Sequence, residues 1–99
     1  MKRLVFSPPG KLLLQEFIKP LGLTQYRVAK DCGIPHPTMT KMINGQRSIS
    51  AETAIRLGRY FGTSAQFWLN LQNDYDLRQI DRQKLKVIEE KVQPFQRAA

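Results

Sequence analysis

The sequence predicts an all-α fold of five main helices with a helical C-terminal extension, and three observations predict it. Apolar residues recur at helical spacing, with Leu14, Phe17, Ile18 and Leu21 at i, i+3, i+4 and i+7. No alternating period-2 run of useful length occurs, so no strand is expected. Pro, Gly, Ser and Thr fall at intervals that start and stop helices. At 99 residues the chain makes one modest core, without repeats or a low-complexity linker.

Residues 1–6 form a short lead-in. Pro8-Pro9-Gly10 opens the first helix, with proline suited to the first turn and Ser7 offering a capping oxygen. Pro20 and Gly22 end it. Thr24 is a favourable N-cap for the second helix, whose inward positions are Val28, Ala29 and Cys32, and Gly33 supplies the turn that follows. The third helix begins near His36-Pro37 and runs to Asn44, with Gly45 as its stop. Ser50 caps a fourth helix, which buries Ala54, Leu57, Gly58 and Phe61 and breaks at Gly62-Thr63-Ser64. A fifth starts at Thr63 or Ser64, where Thr63 and Gln66 have the spacing of a capping box, and carries the stripe Phe67, Trp68, Leu71 and Tyr75. Beyond Ile80 the pattern thins; Leu85, Ile88 and Val92 support a weak amphipathic turn or two, Pro94 ends any helix, and the last residues fray. This divides the chain into a domain over 1–80 and a tail over 81–99.

Charge gives the first functional clue. Lys and Arg number 16 against 8 acids, and the excess sits at one end: residues 1–61 hold ten cations and three acids, residues 62–99 six and five. A positive field confined to part of a chain is the footprint of a polyanion-binding face. The single cysteine allows no intrachain disulfide and no multi-thiolate metal site. With one His, one Cys and no carboxylate pair at metal-ligand spacing, no catalytic or metal constellation can be assembled, so neither an enzyme nor a cofactor is expected. No apolar run approaches a membrane span and no signal peptide is present; a soluble, cytoplasmic protein is expected.

The segment Thr24–Gly45 reads as two short helices joined by a tight turn, the arrangement that sets one helix into the DNA major groove. In the pattern Q-x3-A-x3-G-I-x8-I-N-G-x-R, Ala29 permits close crossing and Gly33 a sharp turn, while Ile34, Met39 and Met42 face inward. The outer face of the third helix then holds His36, Pro37, Thr38, Thr40 and Lys41. His36 and Pro37 lie at the end that enters the groove first; Lys41 reaches a guanine edge, and Thr40 a base or a thymine methyl. Gln25, Thr38, Asn44 and Arg47 are placed as phosphate contacts. Arg27, Lys30, Arg56 and Arg59 can be either contacts or solvated surface. Residues 60–78 carry more apolar surface than one small core requires, so Trp68, Leu69, Tyr75 and Leu77 are expected at a dimer interface. A two-fold pair is also what a palindromic operator demands.

The blocks Glu16-Phe17, Lys19–Leu23, Gln25–Lys30, Asn44-Gly45 with Arg47, Thr53–Leu57, Tyr60–Ser64, Phe67–Gln72 and Tyr75–Arg78 resemble the HigA family of antitoxins, within the xenobiotic-response-element helix-turn-helix group. The likeness covers roughly residues 7–80, and Phe-Trp-Leu-Asn-Leu-Gln is its most specific block. It implies a lambda-repressor-like helix-turn-helix domain that binds double-stranded operator DNA as a homodimer, represses its own operon and neutralises a HigB-type mRNA-cleaving toxin. A stand-alone phage-repressor-like regulator without a toxin is the alternative, and an interaction-only module a third. Two segments depart from the family: Pro8-Pro9-Gly10-Lys11, where His-Pro-Gly-Glu is usual, and the face His36–Lys41.

Overall fold

A computed structural model describes residues 7–96. The expectations for residues 1–6 and for the final residues 97–99 lie outside that range. Among the described residues there are six α-helices and no strand: α1 (Pro9–Leu12), α2 (Gln25–Cys32), α3 (His36–Ile43), α4 (Ala51–Phe61), α5 (Ala65–Arg78) and α6 (Arg82–Lys91).

Proline starts α1 as expected, but Ser7 does not cap it: Pro8 occupies the N-cap and no side chain closes the end. Directly after α1 the helix widens into a π-helix over Leu13–Ile18. The Lys19 amide reaches back five residues to the Leu14 carbonyl at 3.0 Å, and Leu23 likewise to Ile18 at 3.0 Å. This wider turn re-phases the buried face. Leu13 and Ile18, five apart, are buried; Leu14 and Phe17 are half-buried, and Leu21 is 62% exposed. The 3.6-residue stripe read from the sequence was therefore rotated, gaining Leu21 and missing Leu13.

Local signals predicted the middle of the chain well, because caps and turns need only neighbouring residues. Thr24 Oγ1 accepts from the Arg27 amide, and Ser50 Oγ from Thr53. α2 ends at Gly33 (φ 71°) and α4 at Gly62 (φ 77°), both left-handed. The expected Thr63–Gln66 capping box does not form. Ser64 caps α5 by accepting from the Phe67 amide at 3.0 Å, Gln66 turns to Asn70, and the Thr63 hydroxyl accepts from Trp68 Nε1 at 2.8 Å.

That indole bond belongs to the core. Trp68 is 0% exposed, stacked at tilted angles on Phe17 (5.0 Å between centroids) and edge-on to Phe67 (5.0 Å). It lies among Leu13, Val28, Met39, Met42 and Leu57, all buried. Trp68 is thus removed from the expected dimer surface: its large apolar face is satisfied within the monomer, and its one polar atom has a partner. α4 and α5 form the most extensive helix pair. They meet closely because Gly58 has no side chain; a Cβ there would stand 2.8 Å from the Thr63 carbonyl.

The weak turn expected beyond Ile80 is a full helix. Asp81 caps α6, its carboxylate accepting from the Lys84 amide at 2.7 Å. Every residue of 81–96 is exposed, and the chain extends 58 Å along its long axis against 27 Å across.

Candidate nucleic-acid interface

The interface is built on two helices locked at a fixed angle. After α2, the Gly33 and Ile34 amides return to the Lys30 and Ala29 carbonyls at 3.2 and 2.9 Å, closing a left-handed C-cap. The Arg56 guanidinium of α4 adds a third closure, donating to the Cys32 carbonyl at 2.9 Å while pairing with Glu52. Gly33 is required by its backbone, whose φ of 71° penalises a Cβ; the guanidinium end that a Cβ would meet at 2.8 Å can swing aside.

A second tie joins α2 to α4. The Asp31 carboxylate accepts from Tyr60 Oη at 2.6 Å and from Arg27 Nε at 2.7 Å. These bonds, the tyrosine's foremost, hold the Asp31 carboxyl below the usual carboxylate range and push the Tyr60 phenol up. Arg27 and Arg56, ambiguous in the sequence, are therefore committed to internal bonds. Cys32 is buried between the same elements, and burial pushes its thiol up to about 11. A neutral, packed thiol is not a reactive one.

With the frame fixed, α3 presents one face. Met39, Met42 and Ile43 are buried, as expected for the first two. At 3.6 residues per turn, the side opposite them carries Pro37, Lys41 and Asn44 at i, i+4 and i+7, all exposed. His36 and Thr40 lie on the flank toward α2, and Thr38 on the other flank. His36 is exposed and faces Tyr26, with ring centroids 5.6 Å apart. Thr40 is half-buried, and its hydroxyl accepts from Gln25 Nε2 at 2.7 Å. Thr38 is half-buried and borders a recess of about 220 Å³ shared with Arg47, Ser50 and Thr53. Gln25, His36 and Thr40 thus gather on the α2 flank, Pro37, Lys41 and Asn44 on the outward side of α3, and Thr38 borders its recess with Arg47 on the opposite flank.

Two contributors escaped the sequence reading. Tyr26, 62% exposed beside His36, belongs to the same surface; only its position after Gln25 could have flagged it. Among the described residues Gln72 is the one buried polar side chain, at 7% exposure. Its Oε1 accepts from the Ile49 amide at 2.9 Å and its Nε2 donates to Asp76 at 2.9 Å. It thereby ties α5 to the loop that carries Arg47. Of the remaining residues expected at a dimer surface, Leu69 and Tyr75 are half-buried and Leu77 is 74% exposed. Among the described residues no group of His, Cys, Asp or Glu could hold a metal, and no helix is long and apolar enough to cross a membrane.

Two short helices joined by a left-handed glycine turn, the second burying one side and exposing the other, define the helix-turn-helix class, and the helix-turn-helix family profile matches residues 14–68. The chain belongs to that family, in its HigA antitoxin branch. The solved structure of the Pseudomonas aeruginosa antitoxin HigA with the higBA promoter is 41% identical with a TM-score of 0.81, over 89% of this chain and 96% of that one. An addiction module antidote protein of a HigA family from Coxiella burnetii is 39% identical with a TM-score of 0.83, over 91% and 98%. The virulence-associated protein I of Dichelobacter nodosus is 40% identical over 79 residues, 80% of this chain and 73% of that protein.

Proposed function

We propose that the chain is an antitoxin and a sequence-specific autorepressor of its own toxin–antitoxin operon, acting by binding and not by catalysis, in the cytoplasm. The observation that carries this reading is the exposed face of α3, held in a helix-turn-helix frame like that of a HigA solved with its promoter. His36, Pro37 and Lys41 read base edges, with Thr40 beside them on the α2 flank; Gln25, Thr38, Asn44 and Arg47 grip the backbone. The domain over 1–80 holds the DNA-binding unit, and the tail over 81–99 extends from it. Two copies pair through Leu69, Tyr75 and Leu77 to match a palindromic operator, a surface supported by the exposure of Leu77 next to a fully exposed α6. The protein partner is a HigB-type mRNA-cleaving toxin.

Co-expression tests the antitoxin half. Growth arrest by a HigB-type ribonuclease taken from the adjacent reading frame is relieved by the chain, and the two copurify; an adjacent frame that encodes no such toxin also counts against this half. No relief and no binding would refute it. A reporter driven by the operon's own promoter tests the repressor half: it is silenced by the chain, and a reporter that stays at its unrepressed level would refute autorepression.

A further inference from the structure

The Gln25–Thr40 bond assigns these two residues a joint role that neither has alone. Thr40 stands at i+4 from His36 on the same α3 flank, drawn against α2 and half-buried, whereas Pro37, Lys41 and Asn44 point straight away from the core. The bond spans 15 positions of sequence and is 2.7 Å long, the only side-chain hydrogen bond between α2 and α3 among the described residues.

Its polarity matters. Thr40 Oγ1 is the acceptor, so the hydroxyl proton remains free to be donated outward. Gln25 Nε2 carries two protons and spends one on Thr40, leaving the second. Two donors 2.7 Å apart at their heavy atoms suit a partner that only accepts. A phosphate is such a partner, and so is the O6/N7 edge of guanine, which also only accepts. Position separates the two: the helix before the recognition helix crosses the sugar–phosphate backbone, so a recognition-helix side chain tied to its first residue sits at the groove's edge, against phosphate.

We infer that Gln25 and Thr40 form one two-donor clamp on a single DNA phosphate, and that Thr40 contributes affinity without base discrimination. The inference rests on the DNA-binding reading above and moves Thr40 from the base-reading set to the backbone set. Sequence readout on α3 then falls to His36, Pro37 and Lys41.

The test uses the full chain and its Thr40→Val, Thr40→Ser, Gln25→Ala and Gln25→Ala/Thr40→Val variants. Each selects binding sites from a random duplex pool, and affinities are measured for the wild-type consensus and a scrambled duplex. Thr40→Val and Gln25→Ala each weaken both duplexes by the same factor, about tenfold. The double variant is little weaker than either single one, because both serve one phosphate. Thr40→Ser keeps wild-type affinity, and every variant recovers the wild-type consensus. A changed base at one position of the Thr40→Val consensus, with scrambled-duplex affinity intact, would overturn the clamp and make Thr40 a base reader. Fully additive losses in the double variant would overturn the pairing. If the wild type binds neither duplex, the DNA-binding reading itself fails, and the clamp with it.

Discussion

Replacing Gln72 by Met isolates one hydrogen bond that the architecture depends on. Methionine has similar volume and fits a mostly apolar site, so little cavity is created. What is lost is the acceptor for the Ile49 amide, now 2.9 Å from Gln72 Oε1, in a place where Gln72 is 7% and Ile49 4% exposed. A buried N–H left without a partner costs about 1–3 kcal/mol. The part-buried bond from Gln72 Nε2 to the exposed Asp76 is lost as well, but Asp76 can turn to water. For a domain of this size about 1 kcal/mol moves Tm by roughly 4–8 °C, so the expected fall is on the order of 5–20 °C by circular dichroism at fixed protein concentration. Because Arg47 lies two residues before Ile49 in the same loop, affinity for all duplexes should fall as well, equally for specific and scrambled sequences. A Tm within about 1 °C of wild type would refute the reasoning, since the amide would then have found another partner at no cost.

Three further substitutions test other parts of the account. Lys41→Ala should cost about 1–3 kcal/mol on the selected duplex and relax preference at one base pair, whereas Arg47→Ala should weaken every sequence alike and reduce the salt slope by about one; site selection and salt titration distinguish them. Asp31→Asn tests the α2–α4 tie through pH. The carboxyl is held below its ordinary value in the folded state, so its stabilisation is full above the usual carboxylate range and is lost as pH falls through the lowered value. The Tm difference between wild type and variant should therefore be constant from about pH 5 upward and vanish on strong acidification; a difference that grows toward low pH would contradict this. Leu77→Glu should convert a dimer into a monomer in sedimentation at tens of micromolar while leaving Tm nearly unchanged, because Leu77 is 74% exposed in the protomer.

What was legible in the sequence was local. Thr24, Ser50, Gly33 and Gly62 act on residues within one turn of themselves, and the structure has each in its expected role. Val28, Ala29, Met39 and Met42 were readable because α2 and α3 keep the regular helical period. The first helix was misread because its π-helical stretch changes that period, and nothing in Leu13–Ile18 announces the change. α6 was underrated although Asp81 carries a recognisable cap, because its apolar positions are diluted by charge and none is buried. Trp68 shows a different limit. A helix with apolar residues on several sides does not reveal which side meets the core, and Phe17, which packs on the indole, lies 51 residues away in sequence. The same holds at the interface: spacing alone puts Pro37, Lys41 and Asn44 on the outward side of α3, but the Gln25–Thr40 and Gln72–Ile49 bonds join residues 15 and 23 positions apart. Periodicity cannot pair such residues; only the packing of the helices does.

The DNA-binding proposal has α3 read sequence through His36, Pro37 and Lys41 while Gln25, Thr38, Asn44 and Arg47 grip the backbone. Its most direct test is equilibrium affinity for the selected palindromic duplex and for a scrambled duplex, measured across a salt series. Both affinities should fall steeply as salt rises, with the palindrome bound at least about 10³-fold more tightly. Equal affinity for the two duplexes, or binding indifferent to salt, would contradict it.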